Sequence, residues 1–300
     1  MTDARKPAFI VTCVAAMRPY QWTKNLLLFA ALVFAGELGH AEKALVSLAA
    51  FVAFCLAASA TYIFNDLLDI ESDREHPKKR HRPLASGALS PFAAWLLLIA
   101  LFAASIAIAW SIRVEFLLAL VAYVVLTLAY TLKLKHVMIV DVMAIALGFV
   151  IRAVAGALAL NVPFSNWLVV CTLFLATFLG LSKRRQEIVL LEEGAQSHRQ
   201  VLQHYTVHYL DQLILIMAGG TLITYTIYTC SPEVIQRLGT DKLYVTLPFV
   251  VYGLFRYLHL IHHETGGGDP SSTLIKDRPL GVTVVLWAIA CAVLIYLPRI

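Results

Sequence analysis

Asn65-Asp66-Leu67-Leu68-Asp69-Ile70-Glu71-Ser72-Asp73 closes a long apolar run and opens the most basic loop of the chain. The run before it, Leu45 to Phe64, reads as a membrane span, since about 20 apolar residues cross a hydrocarbon core of about 30 Å. If the helix continues out of the bilayer, Asp66, Asp69 and Asp73 share a face, because positions i, i+3 and i+7 fall within about one helix quadrant. Carboxylates gathered on one face repel unless a cation sits between them. Hard oxygen ligands without cysteine or histidine point to Mg2+, and magnesium at a membrane surface points to a phosphorylated substrate.

The whole chain supports a membrane setting. Of 300 residues, 60% are hydrophobic and 14% charged, against roughly 25% charged in soluble domains. The mean hydropathy is +0.76. Met1 to Pro7 show no signal-peptide pattern, so no cleavable signal is expected. Cys13, Cys55, Cys171, Cys230 and Cys291 are scattered without a Cys-x-x-Cys pair and read as reduced small hydrophobes. Apolar runs predict an all-α integral membrane protein with nine helices, near 21–37, 45–65, 92–111, 115–132, 137–160, 165–182, 210–230, 243–261 and 280–297. With the N-terminus inside, eighteen Lys and Arg fall on the cytoplasmic side and five on the other, so the aspartate cluster is expected to face the cytoplasm.

The connections on that side are long. They cover about 66–91, 183–209 and 262–279, the last with Gly266-Gly267-Gly268-Asp269-Pro270, a hinge or lid composition that also suits a plain linker. A single transmembrane domain over 1–300 is expected, with an arrangement suggesting two four-helix halves plus a ninth helix. The first helix is odd. Its purely apolar part, Leu26 to Ala35, reaches only about 15 Å as an α-helix. Crossing would draw Gln21, Trp22, Thr23, Lys24 and Asn25 toward the membrane edge. Either Trp22 is interfacial and Lys24 snorkels, or Lys24 and Asn25 line a substrate cavity.

The pattern Asn65-Asp66-x-x-Asp69-x-x-x-Asp73, followed by Arg82-Pro83-Leu84-Ala85-Ser86-Gly87, resembles the first signature of the UbiA superfamily of intramembrane prenyltransferases. That resemblance implies a nine-helix UbiA-type bundle in which Asp66, Asp69 and Asp73 bind a diphosphate through magnesium and Asn65 orients them. Aromatic-acceptor members typically carry a second acidic motif after the sixth helix. Here the position reads Leu181-Ser182-Lys183-Arg184-Arg185-Gln186-Glu187, with three consecutive cations. Fewer carboxylates hold less metal charge, so more anionic oxygen must be met by Lys and Arg.

Four elements resemble the decaprenyl-phosphate phosphoribosyltransferase branch of that superfamily. They are Arg18-Pro19-Tyr20-Gln21-Trp22-Thr23-Lys24-Asn25, Tyr130-Thr131-Leu132-Lys133 leading to Asp141, Arg152-Ala153-Val154-Ala155-Gly156, and Ser182 to Glu187. The resemblance implies transfer of 5-phosphoribose from 5-phosphoribosyl 1-diphosphate to a polyprenyl phosphate in a bacterial plasma membrane, for a cell-envelope arabinose donor. Asp66, Asp69, Asp73 and Lys24 would be catalytic. Asn25, Asn65, Lys78, Arg82, Tyr130, Lys133, Lys135, Asp141, Arg152, Lys183, Arg184, Arg185 and Glu187 would bind substrate.

Asp141, Ile145, Gly148, Arg152 and Gly156 lie near one face of the fifth helix, so Asp141 could join the metal or phosphate site. Arg152 lies about 16 Å further along, out of Asp141's reach. Its partners are another helix or the lipid cavity. Gly148 and Gly156 are expected to permit close helix approach. Asp211, Asp269 and Asp277 are weaker candidates, and Asp277 equally suits a helix cap. No nucleic-acid partner is expected, and the sequence sets no oligomeric state, a homo-oligomer included. Competing readings are an aromatic-acceptor prenyltransferase, such as a 4-hydroxybenzoate polyprenyltransferase, and a transporter.

Overall fold

Runs of about 20 apolar residues can satisfy their backbone in lipid only as helices, and the protein consists of helices throughout. The computed structural model describes residues 9–77, 79–192, 200–263, 273–274 and 276–297. Lys78, the glycine run at 266–268 and Asp269 lie outside them. Helices α1 (Phe9–Met17), α2 (Ala30–Phe34), α3 (Ala41–Leu68), α4 (Ile70–Glu75), α5 (Pro91–Ile112) and α6 (Val114–Leu132) make the first half. Helices α7 (Val140–Leu160), α8 (Asn166–Glu192), α9 (Val207–Cys230), α10 (Pro232–Leu238), α11 (Leu247–His263) and α12 (Arg278–Tyr296) follow.

Eight helical segments among the described residues are long and apolar enough to cross a membrane: α3, α5, α6, α7, α8, α9, α11 with its 3-10 lead-in, and α12. The protein is a multi-pass bundle in which eight of the nine expected spans are single long helices. The segment at 21–37 is built differently, and it runs from Arg18 beside Asp66 at one end of the bundle to Val33 beside Tyr296 at the other. It folds as an eleven-residue 3-10 helix, Pro19–Phe29, followed by the five-residue α2. A 3-10 helix rises about 2.0 Å per residue, so this composite gains length that its short apolar run would lack as an α-helix.

Packing explains why the composite stays in place. A Cβ on Gly156 would stand 2.2 Å from the Leu28 carbonyl oxygen, so glycine is what allows the 3-10 backbone to seat on α7. The Trp22 indole N–H donates to Ser59 Oγ on α3 at 3.1 Å. Alanines 50, 53, 57, 58 and 60 are buried along α3, and small residues let neighbouring helices approach closely. Ser105 Oγ on α5 donates to the Ala53 carbonyl at 2.8 Å. Leucines, isoleucines and tryptophans such as Trp95, Ile99, Trp110, Leu118 and Ile216 stay exposed around the outside, as lipid-facing residues should.

Consecutive spans are neighbours, so their directions alternate. One apolar core joins α3, α6, α7 and Leu28, and another joins α7, α8, α9 and α11. Helix α7 contributes to both, and two further clusters lie between α1, α3 and α5 and between α8, α9, α10 and α12. The last helix closes the bundle on the first segment: the Tyr296 hydroxyl donates to the Val33 carbonyl at 2.9 Å.

Replacing Gly156 with alanine should overpack the contact with Leu28 and destabilise the protein by about 1–3 kcal/mol. Thermal unfolding of the purified variant in detergent, compared with the parent, measures this. An unchanged unfolding temperature would show that the 3-10 helix moves off α7 without cost.

Candidate active site

The helix carrying the aspartates does not run on through them. Helix α3 ends at Leu68, Asp69 is its cap with φ −99° and ψ 12°, and α4 starts at Ile70. Helical backbone bonds still span the break, from the Asp69 N–H to the Asn65 carbonyl at 3.0 Å and from the Asp73 N–H to the Asp69 carbonyl at 2.8 Å. Arg82 Nη1 lies 3.1 Å from Asp66 Oδ1 and 2.6 Å from Asp73 Oδ2, so one nitrogen bridges both carboxylates. Arg18 Nη2 donates to both oxygens of Asp66, at 2.5 and 2.7 Å. Lys79 Nζ lies 3.8 Å from Asp73 Oδ1. Asp66 and Asp73 are only 3% and 1% exposed, and two buried anions this close require such cations.

Asp69 is placed differently. Its Oδ2 accepts from Asn65 Nδ2 at 2.9 Å, which gives Asn65 the orienting contact expected of it but joins Asp69 to neither of the other two. Among the described residues no three His, Cys, Asp or Glu side chains stand together as a metal set. Of the three expected aspartates, Arg82 thus joins Asp66 and Asp73, while Asp69 caps α3 beside Asn65.

That pair still suits magnesium. The ion commonly takes one or two carboxylates and completes its shell with water and substrate phosphate oxygens. Asp73 Oδ1 is buried and has no hydrogen-bond partner, with Lys79 Nζ 3.8 Å away, so it retains an acceptor position that a cation could use. Asp66 and Asp73 are the residues that could hold it.

Arg18 is the functional candidate that sequence reasoning left out of the site. Its backbone is left-handed, φ 53° and ψ 61°, directly before Pro19, a sparsely populated conformation for a non-glycine residue. Its guanidinium carbon also lies 5.2 Å from the Tyr62 ring centroid. The signal available was its place at the head of the Arg18-Pro19 motif. What it contacts, 48 residues away, was not readable from spacing.

The Lys183-Arg184-Arg185 segment is mostly committed to other helices. Arg184 is 1% exposed and Asp141 0%, with Arg184 Nε 2.8 Å from Asp141 Oδ2 and Nη1 2.5 Å from Glu187 Oε2. Tyr130 stands near enough to act on the Arg184 charge. Arg185 Nε meets Asp211 Oδ1 at 2.5 Å, and its Nη1 donates to the Ile261 carbonyl at 2.7 Å. These arginines tie α7, α8, α9 and α11 together. Asp141 likewise belongs to this internal pair and not to the aspartate cluster. Lys183 is partly buried beside them.

The Tyr205 hydroxyl donates to Asp141 Oδ1 at 2.9 Å and accepts from the Ile139 N–H at 2.6 Å. Burial, with the Asp141 carboxylate beside it, pushes that hydroxyl above the usual phenol range despite the Ile139 hydrogen bond. It therefore keeps its proton and stays a donor. Lys133 is exposed and Lys135 half-buried on the loop leading into α7. Lys24 is half-buried on the 3-10 helix.

Arg152 takes the helix-to-helix alternative. Its Nε donates to Asn25 Oδ1 at 2.7 Å, Nη1 to the Gly148 carbonyl at 2.8 Å and Nη2 to the Tyr123 hydroxyl at 3.0 Å. The guanidinium carbon stands 4.5 Å from the Tyr123 ring centroid, a favourable cation–π distance. Asn25 is buried, accepts from Arg152 and donates to Cys55 Sγ, and so anchors the 3-10 helix to α7 and α3. Asp277 caps α12 as its position suggested, accepting from the Leu280 N–H at 2.9 Å. The Arg256 guanidinium bonded to it, at 2.6 Å, holds its carboxyl below the usual range.

Residues 25–276 match the UbiA prenyltransferase family. The chain is 33% identical to the decaprenyl-phosphate phosphoribosyltransferase of Mycolicibacterium smegmatis over 91% of its own length and 89% of that protein. It is 32% identical to the protein of the same name from Corynebacterium glutamicum, over 95% and 86% of the two chains. A UbiA homolog from Archaeoglobus fulgidus, solved bound to GPP and Mg2+, superposes with a TM-score of 0.70 at 21% identity, covering 94% of this chain and 99% of that one. That likeness is one of fold.

Removing one partner of the Arg184–Asp141 pair should cost about 3–5 kcal/mol, because a charge is left buried alone. The double variant Asp141→Asn, Arg184→Gln should lose less than the two single losses added together. Unfolding temperatures of the three variants decide this. Additive losses would mean the two side chains do not stabilise each other.

Proposed function

The chain belongs to the UbiA prenyltransferase family, and we propose that it transfers 5-phosphoribose from 5-phosphoribosyl 1-diphosphate to a polyprenyl phosphate, releasing diphosphate. The observation that carries this reading is the charge balance of the site. Two carboxylates, Asp66 and Asp73, are surrounded by Arg18, Lys79 and Arg82. No second acidic metal group stands among the described residues. A donor with a diphosphate and a separate 5-phosphate, meeting an acceptor with another phosphate, brings more negative charge than one prenyl diphosphate. Guanidinium groups suit phosphate oxygens because they donate several N–H bonds in one plane. The names of the relatives at 32–33% identity support the same donor and acceptor classes.

Asp66 and Asp73 would hold magnesium, which when bound supplies positive charge to the leaving diphosphate. Arg18 and Arg82, which hold the carboxylates, would also contact diphosphate oxygens and orient the leaving group. Lys24, Lys133 and Lys135 would meet the 5-phosphate and the lipid phosphate. The acceptor oxygen bonds to the anomeric carbon as the bond to diphosphate breaks. The lipid phosphate is already ionised at neutral pH, so no side chain has to remove a proton. Apolar helices seat the polyprenyl tail. The excess of Lys and Arg on loops at this end supports a cytoplasmic site.

The test is purified protein with magnesium, labelled phosphoribosyl diphosphate and a polyprenyl phosphate, read as lipid-linked label. Asp66→Asn should lower transfer on the order of 100-fold or more. Turnover of prenyl diphosphate with an aromatic acid, and no labelled lipid, would overturn the reading.

A further inference from the structure

Ile139 holds φ 68° and ψ −47°. That region suits glycine and is unfavourable for a β-branched residue. Across it the Val140 N–H donates to the Met138 carbonyl at 2.8 Å, the bond of a γ-turn in its rare, strained hand. Such a conformation persists only where its surroundings hold it. Backbone bonds flank this one, from the Asp141 N–H to the Val137 carbonyl at 3.0 Å and from the Met143 N–H to the Ile139 carbonyl at 2.9 Å, and one side-chain hydroxyl takes the Ile139 N–H itself.

Tyr205 Oη accepts from the Ile139 N–H at 2.6 Å and donates to Asp141 Oδ1 at 2.9 Å. Asp141 is itself fixed by Arg184 Nε at 2.8 Å, and Arg184 by Glu187. A relay thus runs from α8 through the start of α7 to the strained turn. On the other side of the turn the chain runs back through the short 3-10 helix Leu134–His136 to Lys133, the cap of α6. The loop that carries Lys133 and Lys135 is thus anchored at one end by α6 and at the other by this turn.

We infer that Tyr205 is a positioning residue, whose hydroxyl locks the Ile139 turn and thereby fixes Lys133 and Lys135 for phosphate recognition. A tyrosine that merely filled space would lose little when its hydroxyl is removed. Only the last step, that the lysines meet phosphate, rests on the phosphoribosyl-transfer reading.

The full-length protein in detergent allows both parts to be tested with Tyr205→Phe, Ile139→Gly and the double variant. Tyr205→Phe should raise KM for phosphoribosyl diphosphate about tenfold, the effect of one lost buried hydrogen bond, with kcat and the lipid KM within about twofold. Tryptic cleavage after Lys133 and Lys135 should accelerate by a similar factor, since cleavage follows the population of the opened loop. Adding Ile139→Gly should bring both readouts most of the way back, because glycine takes the turn without strain. Unchanged cleavage in Tyr205→Phe overturns the inference. So does failure of Ile139→Gly to rescue, or an equal rise of both KM values with a lower unfolding temperature, which marks packing alone. Faster cleavage with rescue, in a protein that never transfers phosphoribose, supports the lock and removes the functional reading instead.

Discussion

Two buried carboxylates within reach of one guanidinium nitrogen govern this end of the bundle. Asp66 and Asp73 are held together by Arg82 Nη1, and neither charge could remain there without neighbouring cations. Several unusual backbone features serve that requirement. Helix α3 stops at Leu68 and α4 carries Asp73 just beyond it. Arg18 adopts a left-handed conformation that brings its guanidinium onto Asp66. The loop after α4 returns Arg82 between the two aspartates. The result is an anionic pair wrapped in cations, an arrangement able to take a metal and the phosphates that accompany it.

The same constraint sorts the remaining arginines. In a bundle set in lipid, a buried guanidinium has to find acceptors inside the protein. Arg152 finds Asn25, Gly148 and Tyr123, and so ties the 3-10 helix to α6 and α7. Arg184 finds Asp141 and Glu187, and Arg185 finds Asp211 and the end of α11. The basic run that distinguishes this chain is thus largely internal framework. The cations nearer the aspartate pair and the lysines of the α6–α7 loop are the ones proposed to meet phosphate.

Much of the fold was legible because hydropathy reads directly onto lipid exposure. The segments at 45–65, 92–111, 115–132 and 137–160 all became helices close to their expected bounds. The segment at 21–37 did not, because a Gly156 contact and polar bonds to α3 and α7 stabilise a 3-10 helix that apolar content alone cannot signal. Within the site, Asp66 and Asp73 were legible from local spacing. Arg18 and Tyr205 were not, since each acts on a residue 48 or 64–66 positions away. Asp141 and Arg184 were noticed as charged residues, but as ligands. Burial against each other is a property of two packed helices and leaves no mark in either segment.

The sequence by itself determined that the chain lives in a membrane, that its charges collect at one end, and that an acidic cluster faces a basic surplus there. Composition and periodicity suffice for this, because the bilayer sorts residues by polarity regardless of their partners. Tertiary structure alone decided which aspartates stand together, which arginines remain at the site, and which were used to bind helix to helix. Those outcomes depend on distances of a few ångströms between segments far apart in the chain. At that range a charge is either neutralised by a neighbour inside the protein or left to meet one on a substrate.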